Sequence, residues 1–74
     1  MTEYLIDVGR VEELQTLRDL EALERLFARA KSTIVNGERV LLARKKAGQP
    51  AEPFEEFTTL EDLETYRKRV FMYL

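Results

Sequence analysis

The 74 residues include 14 acids and 12 bases, for a net charge of −2, and no cysteine or histidine. That composition excludes a disulfide framework, zinc held by Cys or His, and nucleophilic catalysis by a thiol or an imidazole-activated serine. It also sets an expectation of one small domain spanning 1–74, whose core is marginal for its size and gains from surface lent by a partner.

With 45% apolar and 35% charged residues, the chain has the balance of a folded globule. No apolar run approaches the 18 residues of a membrane span. The opening "MTEYLIDVGR" lacks the basic region and apolar stretch of a signal peptide. Together with the lack of cysteine, this leads to an expected cytoplasmic location.

Residues 2–8 alternate, with Tyr4, Ile6 and Val8 on one side and Glu3, Leu5 and Asp7 on the other. The alternation predicts a short strand; the competing reading is a first helical turn, interrupted at Gly9. From Val11 the period lengthens. Val11, Leu14, Leu17, Leu20, Leu23, Phe27 and Ala30 recur at three- and four-residue steps, which predicts an amphipathic helix over about 10–31. Asp19 can cap a new helix, so a bend near Arg18 is the alternative to one continuous rod.

"TIVNGERVLLARKK" follows. Asn36-Gly37 between apolar segments signals a hairpin, because a type I′ turn needs positive φ at both central residues. The β-branched Thr33, Ile34 and Val35 suit a strand. In the competing reading Ile34 continues the helical stripe, and Asn36-Gly37 closes the helix in the left-handed conformation. The hairpin is preferred. "KKAGQPAEP" is a loop, and "PFEEF" a short edge strand. Thr58 with Glu61 forms a capping box for a helix over 59–73, acidic early and basic late, in keeping with the helix dipole. The expected fold class is therefore α+β: a small antiparallel sheet centred on the 33–44 hairpin, with two helices, about 10–31 and 59–73, packed on it.

No glycine-rich phosphate loop is present, since Gly9, Gly37 and Gly48 lie far apart. The pairs Glu12-Glu13, Glu55-Glu56 and Glu61-Asp62 are sequence neighbours, which do not share a helix or strand face. The expectation is no enzyme: no catalytic, metal or cofactor-binding residues, and no cofactor.

Charge is the informative feature. Residues 28–48 carry a net +5, between flanks of −4 (1–27) and −3 (49–74). Arg39, Arg44, Lys45 and Lys46 are the basic candidates for partner contact. In the C-terminal "RVFMYL" the consecutive apolar residues Val70 to Leu74 cover more than one helix face, which makes Phe71, Tyr73 and Leu74 the apolar candidates. The expected function is a non-catalytic protein-binding module, an adaptor or small subunit of a larger assembly, with a protein partner or self-association. The alternative is a small RNA- or DNA-binding protein using the same bases, weakened by acidic flanks and by the lack of aromatics among them on which bases could stack. No membrane partner is expected.

Overall fold

The computed structural model describes residues 3–74. Strand β1 (Tyr4–Asp7) runs directly into helix α1 (Val8–Leu17), then come α2 (Leu20–Val35), β2 (Val40–Arg44), β3 (Glu52–Phe57) and α3 (Leu60–Met72). The fold is α+β, a three-stranded sheet with three helices on one side. Thr2, the first residue of the expected opening strand, lies outside the described residues.

Asp7 ends one element and starts the next. It is the last residue of β1, and its carboxylate accepts the Gly9 N–H at 2.9 Å as the cap of α1. The stripe expected as one helix over 10–31 is two helices. Arg18 sits at φ 54°, ψ 39°, and the Asp19 N–H reaches back to the Leu14 carbonyl at 3.0 Å. A side chain in that left-handed region costs about 1–2 kcal/mol. Asp19 offsets part of it by accepting the Ala22 N–H at 3.1 Å and opening α2.

The 33–44 hairpin is corrected. Thr33, Ile34 and Val35 are the last turn of α2, and Asn36 has φ −80°, whereas a type I′ turn needs it positive. Gly37 alone is left-handed, at φ +82°. Its N–H reaches the Ile34 carbonyl at 2.9 Å, and the Glu38 N–H reaches that of Thr33 at 3.0 Å. Those two bonds satisfy carbonyls that the helix end would otherwise orphan, an ending known as the Schellman motif. Ile34 decides the matter physically, because in the helix it is buried in the core. Gly37→Ala is therefore expected to cost about 1–2 kcal/mol, and Asn36→Ala less than about 0.5 kcal/mol. Urea unfolding of the two variants checks this, and a costly Asn36→Ala would restore the hairpin.

With that correction the sheet is mixed, in the order β1-β2-β3. β1 pairs with β2 in parallel, which requires a crossover, and α1 and α2 supply it. β2 and β3 pair antiparallel, joined by the loop in which Gly48, at φ +75°, turns the chain. Register partners are Tyr4, Val40 and Phe57 in one row, and Leu5, Leu41 and Glu56 in the next. "PFEEF" does form an edge strand, and Phe54 is the extra residue where the register shifts. The last helix begins one residue later than the capping box suggested. Thr59, not Thr58, caps it, accepting the Asp62 N–H at 3.2 Å. Thr59 with Asp62 offers the same cap chemistry as Thr58 with Glu61, one step on.

Strand alternation sends Ile6, Val40, Leu42 and Phe57 toward the helices, where they meet Val11, Leu14, Leu23, Phe27, Ala30, Ile34, Leu63 and Val70. Rings bind the layers together. Tyr66 lies 5.7 Å from Phe27 and 5.6 Å from Phe57, and Phe27 lies 6.0 Å from Phe71. The molecule is flat, 31 × 29 × 16 Å, as one sheet plus one layer of helices requires.

Burial raises the Tyr66 phenol above its ordinary 10.0, helped by Glu12 and Glu55 and opposed by Arg69 and Arg44. The folded state thus holds this proton to higher pH than the unfolded chain does. Its contribution to stability is complete below pH 10.0 and is lost as pH rises through the raised value. Tyr66→Phe keeps the ring and removes the titration. It is expected to leave the urea midpoint at neutral pH nearly unchanged and to soften the decline above pH 10.0; a decline identical to wild type would assign the effect elsewhere.

Candidate functional site

Helices cover one face of the sheet; among the described residues no element covers the other. On that open face Leu5 and Leu41 stand side by side as register partners, and Leu5 is 43% exposed. Ala43 follows Leu41 on the same face but is too small to stand out and is fully covered. The two leucines are therefore the register-paired apolar residues of this face, and Pro53, the partner of Ala43, continues the apolar strip toward the exposed Phe54 at the register shift.

One end of this face is a charged ladder. Arg39, just before β2, donates through Nη2 and Nε to Glu3 Oε1 at 2.6 and 3.0 Å, and through Nη1 to Glu56 Oε2 at 2.9 Å. Glu3 lies beside β1 and Glu56 belongs to β3, so one guanidinium ties all three strands. The Glu3 hydrogen bond and charge, then the Glu56 charge, raise the Arg39 pKa further above its ordinary value. Arg39 is permanently cationic and already engaged by two acids.

The other sequence candidates do not join it. Arg44 ends β2 on the helix side and pairs with Glu12 of α1 at 3.1 Å. Lys45 and Lys46 begin the β2–β3 loop, exposed and, among the described residues, outside any ion pair. Arg39 and Arg44 are five positions apart, on opposite faces, and roughly 17 Å apart along the strand. Arg29 lies over the Tyr4 ring at 5.0 Å. The positive block of the sequence is thus spread over two faces and two ends, with its arginines neutralised or stacked.

The apolar candidates divide as well. Phe71 is half-buried beside Phe27, with Arg67 over its ring at 4.7 Å. Leu74 packs against the core. Tyr73 stays 74% exposed, next to an equally exposed Met72. Gln15 Nε2 donates to the Val70 carbonyl at 3.0 Å, fastening α1 to the end of α3.

A cavity of about 570 Å³ opens between α2 and α3, floored by Phe27, Leu60 and Leu63. Its rim carries both signs, Glu24 and Glu61 with Lys31 and Arg67, and Arg67 is paired with Glu64 at 3.5 Å. Such a rim selects no ligand charge. No described helix is long and apolar enough to cross a membrane.

Leu5 and Leu41 were not among the residues singled out from sequence. The signal was present, since alternation sets Leu5 opposite Ile6 and Leu41 opposite Val40 and Leu42. What sequence lacked was the knowledge that the helices all lie on one side. Protein-family models, curated proteins and solved structures yield no match to this chain.

Proposed function

We propose that the protein is a non-catalytic protein-binding module, an adaptor or small subunit, that works through the uncovered face of its sheet. The observation that carries the proposal is the Leu5–Leu41 pair, apolar and outward, held on a sheet whose opposite face is its own core. A strand face is a rigid platform, and the Arg39 ladder fixes the spacing of the strands beneath it. Apolar centre and charged border are the ordinary anatomy of a protein contact.

The test is site-specific. With p-benzoylphenylalanine in place of Leu41, irradiation in the native cell should capture a polypeptide. The same group in place of Lys68, exposed on α3, should not. No adduct at position 41 overturns the proposal.

Nucleic acid, the second partner class, finds less support. Arg39 and Arg44 already face carboxylates, and phosphate would have to displace them. Titration with a labelled mixed-sequence oligonucleotide at low salt is expected to show no binding. Salt-dependent binding lost in a Lys45→Glu, Lys46→Glu double variant would reverse the ranking.

A further inference from the structure

We infer that the occupant of the open sheet face is a second copy of this chain, stacked face to face about a two-fold axis that lies across the strands. The inference rests on the reading of that face as a binding surface and adds the identity and orientation of the partner.

Area supports it first. A self-sufficient monomer of this mass exposes about 4,700 Å². This chain exposes 5337 Å². The surplus, roughly 600 Å² per copy, amounts to roughly 1,200 Å² over a pair, the lower bound of stable specific interfaces. The surplus is a total over the whole surface; in a molecule only 16 Å thick, a second flat copy laid on the open face is a shape that removes it. Two sheets packed about 10 Å apart would turn Leu5 and Leu41 into the middle layer of a four-layer sandwich.

Edge pairing is the rival route to a dimer, and β3 is built against it. Pro53 lacks a donor, and the register shift at Phe54 breaks the ladder. β1, the other edge, offers only four residues.

Charge then selects the orientation. Glu3 and Glu56 flank Arg39 at the start of β2, leaving that end of the face net acidic. Lys45 and Lys46 follow the other end of β2. Asp7, whose carboxylate accepts the Gly9 N–H at 2.9 Å, and Glu52, the register partner of Arg44, also lie there, so this end is balanced in charge while the Glu3–Glu56 end is acidic. A two-fold axis along the strands would set acid on acid and lysine on lysine. An axis across the strands sets the Glu3–Glu56 end of each copy against the Lys45–Lys46 end of the other. These are border charges, so they act on orientation and salt dependence, while the leucine layer supplies the adhesion.

Sedimentation equilibrium of the full chain tests the inference. Wild type should run at twice 8.7 kDa, with a dissociation constant that rises with salt. Leu41→Lys places like charges near the axis and should weaken association at least a hundredfold, with circular dichroism confirming that the variant is folded. Lys45→Glu with Lys46→Glu makes both ends acidic, and Glu3→Lys with Glu56→Lys makes the Arg39 end basic, opposite the lysines of the other copy. Each should self-associate about tenfold more weakly than wild type, and an equimolar mixture should recover pairing. A wild type that stays monomeric at millimolar concentration overturns the inference, as does a dimer indifferent to Leu41→Lys. Equal self-association of both charge variants, with no gain on mixing, overturns the orientation. A monomer whose position 41 still crosslinks to a different polypeptide would leave the binding-module proposal standing and remove the second copy.

Discussion

Phe27→Ala is expected to cost about 3–5 kcal/mol and to lower the thermal midpoint by roughly 15–30 °C in a domain of this size. Phe27 is 3% exposed and stands where all the layers meet, against Tyr66 and Phe71 of α3 and within the cluster that holds Ile6, Val40 and Leu42 of the sheet. Its removal opens a void that no neighbour can fill. Tyr66 is held by Phe57, and Phe71 lies under Arg67. A chain of 74 residues has a total stability of roughly 4–11 kcal/mol, so this one ring carries a large share of it. Phe54→Ala is the internal control. Phe54 is an aromatic of the same size but is 59% exposed, and its loss should stay within about 0.5 kcal/mol. Thermal unfolding followed by circular dichroism separates the two. A Phe27→Ala midpoint within a few degrees of wild type would mean that the core lies elsewhere.

Much of this core can be read from spacing. Val11, Leu14, Leu23, Phe27 and Ala30 follow helical steps and are buried, whereas Leu17 and Leu20 of the same stripe are exposed, because the break at Arg18 and Asp19 rotates them off the core face. The alternation of "TEYLIDV" sets Ile6 and Leu5 on opposite sides, and the structure turns Ile6 inward and Leu5 outward, while Val8, grouped with Ile6 in the strand, instead opens α1. Asp19 announces the break between α1 and α2 by its capping chemistry. The misread segment is Thr33–Gly37, where two local signals compete. β-Branched residues and Asn-Gly favour a hairpin by tenths to about one kcal/mol. Burying Ile34 as the next member of the helical stripe is worth about 1.5–3 kcal/mol. The tertiary term is the larger, and Gly37 serves the helix end instead of a turn. The parallel pairing of β1 with β2 follows from this. Once α2 extends to Val35, β2 has no partner immediately before it in sequence, and β1 lies beside it.

The candidate site was less legible for a related reason. Charge along a chain and charge on a surface are different quantities. Arg39 and Arg44 belong to one basic block in sequence, yet strand alternation puts them on opposite faces, each beside a carboxylate more than fifteen residues from it. Glu3, Glu12 and Glu56 come from the acidic flanks. The polarity that set the middle of the chain apart is largely used inside the fold, as cross-links between β2 and its neighbours. Among the described residues of that block, Lys31, Lys45 and Lys46 are exposed and outside any ion pair; Lys31 stands on α2 beside the cavity, and Lys45 and Lys46 lie at one end of the face that the leucines mark.

Val40→Lys and Leu41→Lys, one residue apart, should behave as opposites. Val40 has no exposed surface; it sits in the central strand between Tyr4 and Phe57, facing the helices. An ammonium group there has neither water nor a carboxylate within the core, and a buried unpaired charge costs several kcal/mol. That approaches the whole stability of the domain, so Val40→Lys is expected to show no cooperative unfolding transition at 25 °C. Leu41 faces outward, and its register partner on β3 is Glu56. A lysine at that position meets water and an acid across the strand, so the folded monomer should lose no more than about 1 kcal/mol. On the proposed contact, what Leu41→Lys removes is adhesion. It should keep the wild-type far-ultraviolet spectrum and a sharp melt while losing the dimer and the position-41 crosslinks. The pair therefore tests in one measurement which side of the sheet is core and which is contact. Two folded variants, or two unfolded ones, would refute that division and with it the surface on which the proposed function rests.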